Sequence, residues 1–356
     1  MTHARLLSLP PVPSAMEDPH GHPRFGTWQG ELREVSLGKL RGPWSLPPPV
    51  RFLKRKRWIY VQAVTDELVI ALAIVHLGYG SNSFLTVLDR REKRALRDEG
   101  WLGLPGTKCE VNDRPGDGLD ARFRSPGVQV EIARTPGTDR VQVRAKLTPL
   151  LPIGGEALKL ELELDAHSSP PGLSVVSPVV GDGLVNATVK RAAMATKGTL
   201  SIANRSWSLD GGVGGTDYTQ GLLSRQTAWR WAFGNGRLED GTAFGFNLVE
   251  GFNETNPHCN ENAVWIGDAV YPLPRARFRF DKADPGGKAW ELETADGSAM
   301  LRFEPHHVHR EERNLKLVRS RFLQPLGTFS GTLKVAGRTV PVRDVGGVTE
   351  DQDVLW

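Results

Sequence analysis

The sequence predicts an all-β protein of barrel or sandwich architecture. Three observations carry this: apolar residues recur at every second position, Gly- and Pro-rich turns punctuate them at short spacing, and helical patterns are few. Leu158, Leu160, Leu162 and Leu164 alternate with Lys159, Glu161, Glu163 and Asp165, which gives a strand with one dry and one wet face. Val128, Val130 and Ile132 repeat the pattern, as do Val141, Val143, Ala145 and Leu147. Leu68 to Tyr79 reads as a longer, mostly apolar strand, and further strands are expected at 184–196, 199–203, 227–233, 242–250, 275–280, 300–303, 315–322, 328–335 and 339–342. Pro136-Gly137, Gly181-Asp182-Gly183, Asp210-Gly211-Gly212, Asp240-Gly241 and Asp296-Gly297 mark turns between them. Two stretches read as helical: Asp89 to Glu99, an exposed helix, and Tyr218 to Ser224, a short turn of helix.

The chain has 356 residues, enough for two domains of ordinary size. A changeover near 180–190 gives two halves, each long enough for an eight- to ten-stranded barrel. The expected division is an arm at 1–26, a first β domain at 27–185 and a second at 186–356 that carries the candidate site. Lys+Arg 45 against Asp+Glu 41 leaves +4, spread along the chain, so no nucleic-acid partner is expected. Two cysteines, Cys109 and Cys259, exclude a disulfide framework. The longest apolar runs are about ten residues, against about 20 needed to span a bilayer, so no membrane span is expected; peripheral membrane contact is left open. Prolines 10, 11 and 13 break the only apolar patch near the N-terminus, which points away from a signal peptide and to a cytoplasmic location.

The densest chemistry lies at 211–265. Glycines precede Asp217, and Tyr218 follows it. Trp229, Trp231 and Phe233 share one face of a strand and suit either a cavity wall or a core. Phe244, Phe246, Leu248 and Glu250 share a face of the next strand, and a carboxyl ending an apolar row is expected to be desolvated, as a general acid is. Asn253, Glu254, Asn256, Asn260, Glu261 and Asn262 follow. Plainer readings stand beside these: Asp217 caps a turn or pairs with Arg225, and the Asn and Glu residues hold turns.

His307, His309 and Glu311 point the same way on a strand, but neighbours on one strand rarely reach a single ion, so the sequence favours an exposed or arm-contacting His cluster over a metal. The basic-aromatic run Lys54 to Tyr60 reads as a loop entering a strand. No Walker loop, Rossmann glycine pattern, GxSxG or HExxH occurs.

KRWIY at 56–60, GTDYTQGLLSRQTAWRWAFGNGRLEDGTAFGFNLVEGFNE at 215–254, the Asn260-Glu261-Asn262 and Trp265 set, QPLGTFSG at 324–331 and GVTED at 347–351 before the last Trp resemble domain-of-unknown-function family 2804. The resemblance covers roughly residues 40–356. That family's pattern has a His after Glu-Asp near the end; here Gln352 stands there, which puts any base at that position in doubt. A fainter resemblance, from the Gly-rich turn, Asp, aromatic, W-x-W order, is to carotenoid hydratase, tocopherol cyclase and related lipocalin-like proteins. It implies two consecutive lipocalin-like antiparallel barrel or half-barrel domains. It also implies cofactor-independent acid–base chemistry (hydration, isomerisation or cyclisation) on a hydrophobic small molecule. On that reading Asp217 or Glu250 gives the proton and Arg225 steadies an anionic intermediate. Tyr218, Trp229, Trp231, Asn247, Glu254 and Glu261 bind the ligand, and no metal or cofactor takes part. The alternatives are a non-catalytic binder of lipids or other hydrophobic ligands and, more weakly, a carbohydrate-active protein using Glu250 and Glu254.

Overall fold

The computed structural model describes residues 9–103, 109–149, 156–252, 254, 256–314 and 318–356. Among them, strands dominate and pair antiparallel throughout the two sheets. The first sheet contains β1 (Gly26–Gln29), β2 (Arg55–Val64), β3 (Leu68–His76), β4 (Ser81–Asp89), β5 (Arg94–Gly103), β6 (Cys109–Val111), β7 (Asp120–Ser125), β8 (Val128–Arg134), β9 (Arg140–Leu147), β10 (Leu158–Asp165), β11 (Leu173–Pro178), β12 (Val185–Ile202), β13 (Arg205–Ser208) and β14 (Val213–Leu222). The second contains β15 (Gln226–Arg237), β16 (Ala243–Glu250), β17 (Ala263–Ile266), β18 (Ala269–Pro272), β19 (Ala276–Arg279), β20 (Trp290–Thr294), β21 (Ala299–Asn314), β22 (Arg319–Val335) and β23 (Arg338–Leu355). The first sheet curls into a nearly closed barrel and the second into a half-barrel. The change from one to the other falls between Leu222 and Gln226, later in the chain than 185/186.

Two expected helices are strands. Residues 89–99 turn through a hairpin, and Arg94 onward pairs with β4 as β5, because the alternation of Leu96, Asp98 and Gly100 with Arg97 and Glu99 suits a sheet edge. Tyr218 to Leu222 lies inside β14, bonded to β2 on one side and β12 on the other, so ladder pairing outweighs any local turn preference. The one described α-helix, α1 (Pro48–Lys54), ends where β2 starts. The 315–317 part of an expected strand and Asn253 lie outside the described residues. The arm is anchored from Leu9 onward: the Val12 amide donates to the Gln29 carbonyl at 2.8 Å, and Met16 is fully buried.

Packing forms three layers. Ile59, Val61, Leu160, Leu162 and Tyr218 fill the first barrel. Phe244, Phe246, Leu248, Trp290 and Phe329 fill the second. Between the sheets lies a third cluster, with Tyr60, Ala73, Phe84, Trp231, Phe233 and Val348. This explains the strands without clean alternation: every residue of β14 is buried because both of its faces are covered. Sheet contact there is close. A Cβ added at Gly215 would stand 2.3 Å from the Arg191 carbonyl oxygen and 2.6 Å from the Phe233 ring. A bulge in β12 between Arg191 and Met194 presents the Ala193 amide to the Asn235 side chain at 3.0 Å, and Asn235 in turn donates to Gln62 at 2.9 Å.

Gly215→Val is therefore expected to destabilise the protein by about 1–3 kcal/mol through overpacking between the sheets. Urea unfolding monitored by circular dichroism checks this; an unchanged midpoint would show that the layers are loosely apposed.

Candidate functional site

The inter-sheet layer is not filled throughout. A cavity of about 1020 Å³ opens within it, with one wall from β2–β5 and β14 and the other from β15 and β21–β23. Strand parity decides what it sees. In β2, Ile59 and Val61 point into the barrel, while Trp58 and Tyr60 point out toward the second sheet. In β15, Trp229 and Trp231 face them. Trp58 stacks on Trp229 with ring centroids 5.8 Å apart, and Tyr60 meets Trp231 edge-on at 5.0 Å. Each such pair contributes about 0.5–1.5 kcal/mol beyond its buried area.

At the cavity base three ionisable groups meet in burial. Lys190 of β12 lies opposite Asp217 of β14 in the ladder. Its ammonium contacts Asp217 Oδ2 and sits 3.0 Å from Glu261 Oε2, 5.6 Å above the Trp231 ring. Thr188 and Thr219 donate to Asp217 Oδ1 at 3.1 and 3.4 Å. Burial works against the charge on Lys190, but the two carboxylates outweigh it and hold its pKa above the ordinary lysine value. Burial pushes Glu261 up, against the pull of Lys190.

Glu350 of β23 stands beside this trio. The Trp229 indole N–H donates to Oε1 at 2.6 Å and the Gln324 amide to Oε2 at 3.1 Å. Burial dominates and, despite these two bonds, pushes its carboxyl up to about 7, with Asp217 pushing the same way.

A second polar cluster faces the cavity from β5 and β21. His309 is 3% exposed and stacks on Phe84 at 4.8 Å. Its Nδ1 bonds Asp98, as does His307 Nε2 at 2.6 Å, and Glu311 follows on the same face. Burial opposes charge on His309, but Asp98 and Glu311 raise it to about 9. Asp98 is correspondingly held below the usual carboxylate range, against burial, by the two imidazoles. The His cluster, expected to be exposed or to contact the arm, is instead a bridge between the sheets with His309 buried, because both imidazoles reach Asp98 of the opposite sheet.

Of the residues singled out from sequence, Asp217, Trp229, Trp231 and Glu261 border this one cavity. Asn247 stands behind it: its Oδ1 accepts from the Trp231 indole at 2.6 Å and its amide donates to the Glu261 carbonyl at 2.8 Å. Tyr218 points the other way, into the first barrel, with its hydroxyl on the Asn112 carbonyl at 2.9 Å. Arg225 is exposed and donates to the Trp356 carbonyl at 2.8 Å. Glu254 borders a smaller surface hollow, and its carbonyl accepts from Arg275. Glu250 does not border the cavity: it shares the parity of Phe244, Phe246 and Leu248, which fill the second barrel, and at the strand end it pairs with Arg277 at 3.1 Å. Sequence reasoning passed over Lys190, Glu350, Asp98 and Gln324. A lone lysine within the apolar run 184–196 was the readable signal for the first. For Glu350 it was the alternation that sets Glu350 and Gln352 on one face and Asp351, bound by Arg230 at 2.9 Å, on the other.

The match that decides the family is broad: the model of a domain of unknown function (DUF2804) fits residues 12–356. The chain belongs to this family. No curated protein sequence matches it. Among solved structures it is similar to CghA with Sch210972, at 10% identity and TM-score 0.49, covering 94% of this chain and 99% of that one. It is also similar to kievitone hydratase from Nectria haematococca, at 11% identity and TM-score 0.42, covering 93% and 98%. No helix among the described residues is long and apolar enough to cross a membrane.

Two outcomes follow from the buried charges. Lys190→Met leaves two carboxylates without their cation and is expected to lower stability by about 3–5 kcal/mol; adding Asp217→Asn and Glu261→Gln should restore most of it, as read by urea unfolding. The raised pKa of Glu350 means the folded state keeps a proton that the unfolded state releases, so stability falls as pH rises from about 4.5 to 7. Relative to wild type, Glu350→Gln should therefore gain about 2–3 kcal/mol between pH 5 and pH 8. A pH-independent difference would place the carboxyl's titration elsewhere.

Proposed function

We propose that this protein is a cofactor-independent acid–base enzyme acting on a hydrophobic small molecule, with Glu350 as proton donor. One observation carries the reading: a carboxyl with a pKa raised to about 7 is buried on an aromatic cavity wall, next to a buried ammonium. A group titrating near working pH transfers protons in either direction with the least penalty. The rings of Trp58, Trp229 and Trp231 suit an apolar ligand body and attract positive charge if it develops on carbon. Lys190 has three N–H donors. Two meet Asp217 and Glu261 while the ammonium lies over the Trp231 ring, and in this scheme the third serves an oxygen that gains negative charge. Asp217, with both oxygens engaged, acts in this scheme by holding Lys190 rather than by giving a proton. Hydration, dehydration, isomerisation and cyclisation all fit such a pair. The carbohydrate alternative draws no support here, since neither Glu250 nor Glu254 borders the main cavity.

The test is hydrogen exchange. The protein is incubated in D₂O with a panel of isoprenoid alkenes and apolar enones, and deuterium entering carbon is read by mass spectrometry. Incorporation is expected to fall as pH rises through about 7, because the protonated carboxyl is the donor, and to drop at least 100-fold in a folded Glu350→Gln variant. Ligands that bind without any exchange would instead make the protein a carrier.

A further inference from the structure

The second polar cluster is more than a bridge between sheets. His309 Nε2 and Glu311 Oε1 face each other as an ion pair 3.7 Å apart, beyond hydrogen-bond length; their side chains are 4% and 9% exposed, and neither atom has a hydrogen-bond partner among the described residues. Everything else on the two side chains is fixed. Asp98 takes His309 Nδ1, while Asn82 at 2.9 Å and Arg313 at 3.3 Å donate to Glu311 Oε2. Gly100 keeps the neighbouring strand bare: an added Cβ would stand 2.3 Å from Glu311 Oε1. His309 and Glu311 are among the residues lining the same cavity as Glu350. They also belong to the same sheet face. His309 lies opposite Gln324 on β22, and Gln324 donates to Glu350 on β23, so His309 and Glu350 are two strands apart, roughly 10 Å.

Resting on the acid–base reading above, we propose that His309 and Glu311 form a fork for a hydroxyl group, so that the ligand is an apolar alcohol or phenol held at its oxygen while its carbon skeleton reaches toward Glu350. The chemistry selects this group. A protonated imidazole offers an N–H and the carboxylate an acceptor, and a hydroxyl oxygen within hydrogen-bond reach of both accepts from one and donates to the other. A carbonyl would satisfy His309 and leave Glu311 unpaired. A carboxylate would face Glu311 and Asp98, and an ammonium would face His309, so each meets a like charge. A buried polar atom left unpaired disfavours the wrong ligand more than the right contact favours the correct one.

The experiment compares 1-decanol with methyl nonyl ether, two molecules of equal heavy-atom count, by isothermal titration and by quenching of tryptophan fluorescence. The wild type is expected to bind the alcohol about tenfold more tightly. In Glu311→Gln the carbonyl stays toward the Asn82 and Arg313 donors and the NH2, a donor, takes the Oε1 position, which should erase the preference while leaving ether binding within about twofold. His309→Gln is the second variant, and thermal melts establish that each is folded. Equal binding of alcohol and ether by the wild type, or a preference that survives Glu311→Gln, overturns the fork and leaves the proton-transfer reading standing. Failure of both molecules to bind overturns both.

Discussion

One buried ammonium organises the molecule's interior. Lys190 sits on the first sheet, and its two carboxylate partners come from the neighbouring strand β14 and from the loop between β16 and β17 of the second sheet. Two acids against one base leave this region net negative when all are charged. Such a cluster is tolerable only because every member is bonded, and its removal in part would be worse than its removal in whole. The same field reaches Glu350, where Asp217 discourages a further negative charge. Burial remains the larger cause of the raised Glu350 pKa, and the ion cluster that fastens the sheets together adjusts it, Asp217 upward and Lys190 downward.

The cavity itself follows from geometry. A nearly closed barrel presents a convex outer surface, and a half-barrel curves by its own strand twist. Two such surfaces touch along a limited seam. Small residues make that seam tight at Gly215, Ala192 and Gly245. Further along β2 and β15 the same faces carry Trp58 and Trp229, whose bulk holds the walls apart. The ring pairs across the gap act as spacers as much as glue.

Much of this was legible in the chain. The leucine alternation at 158–164 gives a barrel strand directly, and all four leucines are buried. The parity of Trp229 and Trp231 placed both indoles on one side, and both border the cavity. Where alternation misled, the reason was a second covered face. Glu250 follows a correct apolar row, but that row fills the second barrel, and a sequence cannot say which of two cores a row serves. The run at 89–99 carries helix-forming residues, yet the strand next to it needs a partner and takes β5. Lys190 and Glu350 carried only a local sign of burial; the partners that give them their roles lie 26 to 121 residues away, beyond any local pattern.

The alternation of Glu350 and Asp351 has a consequence for assembly. One carboxyl is buried under indole and amide donors, and its neighbour is clasped by Arg230 and Arg321 on the reverse side. Were the strand to pair one position out of step, each acid would enter the other's surroundings. Glu350 would lose its indole, and Asp351 would be dragged from two guanidinium groups into an aromatic hollow. Consecutive acids with incompatible surroundings thus act as a registration mark, penalising misaligned zippering of β23 onto its neighbours before any ligand is met.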